Sequence, residues 1–363
     1  MATNYWDYIR VEDLLRLQGG LEDDEKKLSD HEVVFIVVHQ VFELWFKLAL
    51  RELTTLRDMF DDTPVPETAI AGAAGSMDRI SRIFRAAVAH FDVVESINTR
   101  DYLDFRDKLF PASGFQSAQM REMEILLGLH DDERLGLGAD GKYMEALKDP
   151  SGQTDSPAHA RVEARLADTP SLLSAVGDWL HRTPIRGSQP GAPDDDAVVD
   201  GFLNDYLDCL AKAVDETLAT VLATGVGNPD SMRTRYAAEV EQARTWFLCE
   251  DRKLRRIRAA VLFIESYRSL PLLSWPRKIL AQLVEFEQSM VMFRQRHARM
   301  VERVIGRRIG TGGSSGVDYL DETALKYRVF KDLWAVRTFQ IRADALPPLE
   351  DTGPYEFNAT FDA

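Results

Sequence analysis

Two of the seven histidines and one arginine in this 363-residue chain stand in surroundings that could give them chemical work. His39 lies in "FIVVHQVFELWFKLAL" (35–50). With Glu43 and Lys47 it falls on one face of a helix, a thin polar stripe on an otherwise apolar surface. A helix that is apolar on most sides is buried, so its imidazole is either a hydrogen-bonded core group or one that faces a ligand. His297 lies in "QSMVMFRQRHARMVERVIG" (288–306), with Met290, Phe293, Met300, Val301 and Val304 on its own face and Arg294, Arg296 and Arg299 at the edges. An imidazole in an apolar stripe rimmed by cations suits a haem: the ring takes an axial iron position, apolar side chains cover the macrocycle, and guanidiniums can meet propionates. A structural histidine accounts for the spacing as well, because a lone histidine is not a metal motif.

Arg106, in "DYLDFRDKLFPASGFQS" (101–117), has aromatic and apolar neighbours and is followed by Pro111, which ends any helix before Ala112, Ser113 and Gly114. A guanidinium so placed could grip a carboxylate bidentately, or pair with Asp104 or Asp107. The glycine-rich stretch "GTGGSSG" (310–316) has no lysine and follows a helical pattern, so it matches neither kind of phosphate loop. No H-E-x-x-H, paired Cys/His or paired E-x-x-H spacing indicates zinc or a di-iron centre.

The elements that must position these groups are helices. Apolar residues recur at helical spacing and strand-like alternation is scarce, so the fold class is all-α. Helices are expected over Trp6–Leu17, Asp30–Phe60, about Thr68–Ser96, Gln116–Leu129, Ala158–Leu180, Ala197–Leu222, Asp230–Ser269 and Pro276–Ile305. Two Pro/Gly/Ser/Asp-rich linkers, 149–157 and 186–197, suggest one helical domain over 1–363 with a helical insertion at about 150–225. The composition is that of a soluble globular protein, 45% hydrophobic, with a net charge of -15 that disfavours nucleic acid as a partner. Cys209 and Cys249 have no paired spacing, the N-terminus lacks a signal-peptide pattern, and Val33–Leu50 is too polar to span a bilayer, so a cytoplasmic setting without a membrane is expected.

Taken in order, "YWDYIRVEDLLRLQ", "SDHEVVFIVVHQVFELWFKLALREL", "DFRDKLFPASGFQS", "FRQRHARMVERVIG", "GTGGSSGVDYL" and "YRVFKDLWAVRTFQI" resemble the tryptophan 2,3-dioxygenase family over nearly the whole chain. The resemblance implies an all-helical homotetramer that binds haem b and uses O2 to open the indole of L-tryptophan, giving N-formylkynurenine. It implies that His297 is the proximal iron ligand, and that Phe35 and His39 form the distal pocket with His39 facing the indole N–H. It further implies that Arg106 binds the substrate carboxylate beside Tyr102 and Phe105, and that Ser113 and Gly114 face the haem. Thr311 then contacts the amino-acid end from a closing loop, and Tyr5 and Tyr8 complete a neighbouring subunit's pocket. The segment before His297 departs from the family's W-R-F/Y-x-H wording at Phe293 and Gln295. The alternative is therefore a haem-dependent monooxygenase that makes oxindoles from a substituted tryptophan.

Overall fold

The computed structural model describes residues 3–135, 143–148, 156–311 and 316–357. Most of linker 149–157 and the centre of the glycine-rich stretch, 312–315, lie outside the described residues. Among the described residues there is no strand, only an isolated bridge between Ile185 and Ser188, so the fold is all-α as the periodicity requires. In chain order the helices are α1 (Tyr5–Ile9), α2 (Val11–Leu14), α3 (Asp30–Asp61), α4 (Glu67–Val94), α5 (Thr99–Arg106), α6 (Ala118–Leu127) and α7 (Pro157–Ala167). They continue with α8 (Leu172–His181), α9 (Asp195–Ala223), α10 (Pro229–Phe247), α11 (Arg252–Ser266), α12 (Ser274–Ile305), α13 (Val317–Lys326) and α14 (Lys331–Thr338).

Local signals explain where helices start and break. The Ser29 hydroxyl accepts from Glu32 N at 3.2 Å, and Asp30 and Glu32 complement the dipole at the head of α3. The expected helix 158–180 is two helices, because Pro170 interrupts the ladder between α7 and α8. The expected helix 230–269 likewise divides after Phe247, where Asp251 accepts from Leu254 N at 3.0 Å and caps α11. The N-terminal expectation divides into α1 and α2 at Arg10, whose φ is 54°.

The chain forms two compact units. The first comprises Met1–Thr55, Asp78–Ser171 and Phe286–Val329, and the second Leu56–Met77, Leu172–Glu285 and Phe330–Ala363. Of the stretch 150–225, α7 belongs to the first unit, and α8 and α9 to the second. The second unit is built on aromatic packing, with Phe202 against Phe263 at 5.3 Å and Phe247 against Phe339 at 5.6 Å. Its buried Arg256 binds both oxygens of Asp195 at 2.7 Å.

The first unit contains His39, Arg106 and His297 and the aromatic groups around them. Phe42 and Phe46 from α3, Phe84 and Phe91 from α4 and Phe293 from α12 make one buried cluster with centroids 4.9–6.4 Å apart. Among the described residues, α3 alone is long and apolar enough to cross a membrane. Its polar groups are instead engaged by the protein: Gln40 exchanges hydrogen bonds with Gln18 and the Leu17 carbonyl at 2.7 Å, and Glu43 binds α6.

A charged clamp braces the same unit. Glu124 of α6, 2% exposed, accepts from Arg294 of α12 at 2.7 Å and Arg134 at 2.6 Å, with Arg121 at 3.1 Å. Arg294 lies over the Tyr327 ring at 4.9 Å. Burial pushes the Glu124 carboxyl up, but Arg121, Arg294 and Arg134 outweigh it and hold the group at about 2. Because the folded state prefers the ionised form, this stabilisation is complete above the ordinary carboxyl range and is lost as pH falls toward 2. Glu124→Gln should therefore cost about 3–5 kcal/mol at neutral pH, the usual penalty for breaking a buried pair. Denaturant titrations from pH 7 down to 3 should show the gap between wild type and variant shrinking with acidity; a gap independent of pH would contradict the assignment.

Candidate active site

Helix α3 carries Phe35 and His39 one turn apart, and α5 brings Tyr102, Phe105 and Arg106 beside them. The Phe35 ring is central: its centroid lies 4.0 Å from His39, 6.0 Å from Tyr102 and 5.7 Å from Phe105. Helix α5 starts because Asn98 accepts from Arg100 N and Asp101 N at 3.1 and 3.3 Å. Two polar contacts tie α5 and the turn after it to the head of α3, His31 Nε2 with Asp101 at 3.1 Å and the ion pair of Lys108 with Glu32 at 2.8 Å.

The His39 Nδ1–H donates to the Phe35 carbonyl at 2.7 Å. A carbonyl can only accept, so Nδ1 carries the proton and Nε2 of the neutral ring keeps its lone pair. Burial lowers the His39 pKa, opposed by the hydrogen bond to Phe35 and the charge of Glu43, so the ring is neutral at pH 7. His297 is likewise held down, at about 4, by burial first and then by the charges of His39 and Arg294. The two rings are thus close enough to influence one another. Phe91 lies parallel to His297, 12° between planes and 5.6 Å between centroids, and contacts Phe42, which in turn lies 6.0 Å from His39. Both imidazoles are surrounded by protein yet retain some accessible surface.

This donor set fits a haem. The His297 ring, neutral and without a hydrogen bond among the described residues, offers one nitrogen donor above an aromatic floor. Among the described residues no group of three or more His, Cys, Asp or Glu could hold a bare metal ion. A metal carried in a macrocycle needs only an axial donor. The rim arginines differ from expectation. Arg294 is bound to Glu124, Arg296 to Glu95 and, at 2.6 Å, to Asp92, and Arg299 to Glu302 and Asp321, so each already has a protein carboxylate.

Arg106 is different. Its Nη2 donates to the Ile309 carbonyl at 2.7 Å, and its buried Nε has no partner among the described residues. It also opposes the rise that burial imposes on the Tyr102 hydroxyl. Thr311 donates from Oγ1 to the Ala112 carbonyl at 2.6 Å, so residues 309–311 are fastened to the Arg106–Ala112 stretch at two points. At the far end of the loop Gly316 has φ 60°, and a Cβ there would stand 2.9 Å from the Arg308 carbonyl, which restricts the position to glycine. Ser113 opens a single turn, its N–H donating to Gln116 Oε1 at 3.2 Å; a Cβ added at Gly114 would enter open space.

The structure therefore gathers Phe35, His39, Tyr102, Phe105 and Arg106, with Thr311 and Ser113 fastened to the segment beyond Arg106 and His297 near His39. It does not bring Tyr5 and Tyr8 to them: these are 72% and 78% exposed, and α1 buries no residue. Glu43, Ser117 and Gln119, which join α3 to α6, carry no motif that would have marked them as a set.

A sequence profile described as "Tryptophan 2,3-dioxygenase" matches residues 1–340. A protein of Sorangium cellulosum named tryptophan 2,3-dioxygenase is 53% identical, over 98% of this chain and 87% of the relative. A Ralstonia nicotianae protein named tryptophan 2,3-dioxygenase 2 is 49% identical, over 98% and 97% of the two chains. A Xanthomonas campestris protein named tryptophan 2,3-dioxygenase-like is 50% identical over 72% of this chain and 98% of its own.

If His297 is the axial donor and His39 is not, the two alanine variants will separate when reconstituted with haemin. His297→Ala should lose or sharply weaken the intense Soret band and haem retention, whereas His39→Ala should keep both. The opposite pattern would reverse the roles of the two helices.

Proposed function

Since the chain belongs to the tryptophan 2,3-dioxygenase family and is an oxygenase, we propose that it cleaves the indole C2–C3 bond of L-tryptophan with O2, giving N-formylkynurenine. The observation that carries this reading is the pairing of two unlike recognition groups on adjoining helices, the free Nε2 of neutral His39 and the under-satisfied guanidinium of Arg106.

A haem b held by His297 would supply O2 binding and activation, the step the side chains cannot perform. The chain's own residues bind and orient. His39 Nε2 accepts the indole N–H, which fixes the ring's direction without requiring a proton to leave. Phe35, Phe105 and Tyr102 supply an apolar wall for the indole. Arg106 takes the substrate carboxylate in place of the Ile309 carbonyl, and its unpartnered Nε supplies the second donor of a bidentate grip. Thr311 moves with residue 309 on the same segment, so the exchange at Arg106 also brings its hydroxyl to the amino-acid end and excludes water.

Assembly as a homotetramer is supported by the exposed Tyr5, Trp6, Tyr8 and Ile9 of α1, an aromatic patch that a partner subunit would cover. A cytoplasmic location is supported by Cys209 and Cys249, both free thiols.

The substrate carboxylate predicts selectivity. Tryptamine, which lacks it, should bind the wild-type protein at least about tenfold more weakly than L-tryptophan, a difference of about 1.4 kcal/mol, and Arg106→Leu should narrow that gap. Equal perturbation of the haem spectrum by both ligands in the wild type would exclude this role. For the reaction, ferrous enzyme turning over L-tryptophan under labelled O2 should yield a ring-opened product with two labelled atoms. A ring-intact oxindole with one labelled atom, or turnover confined to a substituted tryptophan, would move the assignment to the monooxygenase.

A further inference from the structure

The polar stripe of α3 has a second member, one turn beyond His39, that the proposed chemistry leaves unused. Glu43 could pair with Lys47 along its own helix, the usual arrangement at that spacing. It turns to α6 instead, and Lys47 is exposed. The Glu43 carboxylate accepts from the Ser117 hydroxyl at 2.6 Å and from Gln119 Nε2 at 2.7 Å, and the same Gln119 amide donates to the Glu43 carbonyl at 2.6 Å. Gln119 is 8% exposed.

These partners sit at one end of the segment that follows Arg106. Ser113–Ser117 is a turn with its own hydrogen bonds: Gln116 N donates to Ser113 O at 2.9 Å, Ser117 N donates to Gly114 O at 3.2 Å, and Gln116 Oε1 accepts from Ser113 N. Both ends of this turn are tied to the rest of the unit. At one end Ala112 O receives Thr311 from the loop; at the other, Ser117 gives its only hydroxyl proton to Glu43 while its oxygen caps α6 by accepting from Met120 N at 3.3 Å. A continuous series of contacts thus runs from the helix bearing His39, through Glu43, Ser117 and Ala112, to the loop residue Thr311.

We propose that Glu43 is a positioning residue: it fixes the Ala112–Ser117 segment against the distal helix and so sets both the pocket wall and the landing place of the loop. The effect on ligand affinity rests on the tryptophan reading above, whereas the fixing of the segment does not. The carboxylate suits this task because it can accept from two donors at once. An amide offers one oxygen and adds donors that face Gln119, so Glu43→Gln retains one side-chain link and Glu43→Ala none, the Gln119 bond to the main-chain carbonyl of residue 43 remaining in both.

The test uses the full-length, haem-loaded protein. L-tryptophan affinity is read from the haem spectrum, and hydrogen–deuterium exchange is followed over residues 110–120 in the ligand-free state. Glu43→Ala should keep its haem content, weaken L-tryptophan at least tenfold and speed exchange at 112–117, while exchange in α9 and α11 is unchanged. Ser117→Ala should move both readouts the same way, Glu43→Ala/Ser117→Ala should be no worse than Glu43→Ala alone, and Glu43→Gln should fall between. Wild-type affinity and exchange in Glu43→Ala would overturn the proposal. So would faster exchange throughout the first unit with no selective loss of affinity, which marks a merely structural pin. If wild type itself fails to bind L-tryptophan, the substrate reading falls, and exchange at 112–117 still decides the role of Glu43.

Discussion

The constraint on which the rest depends is a pair of neutral imidazoles held inside the first unit, His39 on α3 and His297 on α12. Protein interiors pack closely, and imidazoles set among Phe35, Phe42, Phe91 and Phe293 have few polar partners. Two protonated rings so near each other would repel, and one buried without a partner would be expensive. Burial settles both matters by lowering the two pKa values, which leaves a lone pair on His297 and another on His39 Nε2. The phenylalanine cluster beside His297 and the Glu124 clamp between α6 and α12 then hold the helices that carry these rings.

Charge is distributed with the same economy. Arg294, Arg296 and Arg299 surround the proximal helix, and each is matched to an acid of the protein. Arg106 meets the Ile309 carbonyl and the Tyr102 hydroxyl, both neutral, with its Nε unmatched among the described residues. A guanidinium bound to a neutral acceptor can exchange it for an anion at little electrostatic cost, and one bound to a carboxylate cannot. That difference separates the arginine fit for a ligand from those that hold helices together.

Periodicity made much of this legible in the sequence. Helix α3 runs where its apolar spacing requires, within one residue of the expected end, because thirty residues of a single pattern leave little ambiguity. The short helices α5 and α13 were not expected, since one or two turns carry too few repeats and depend on caps such as Asn98. The clamp was hidden for another reason. Glu124 reads as a surface residue in "REMEILL", and only the fold brings Arg294, 170 positions away, to its carboxylate. Glu43 was visible as a polar residue on an apolar face, but its partners on α6 were not. Roles for Tyr5 and Tyr8 came from family resemblance alone, and a single chain leaves both in solvent.

The central claim is that the two imidazoles divide their work, His297 holding the cofactor and His39 the substrate. The structure of the haem-loaded protein with L-tryptophan bound tests it most directly. The account predicts iron ligated by His297 alone among the side chains, with the indole N–H against His39 Nε2 on the other face and the carboxylate on Arg106. Iron ligated by His39, or by both histidines at once with the amino acid elsewhere, would contradict it.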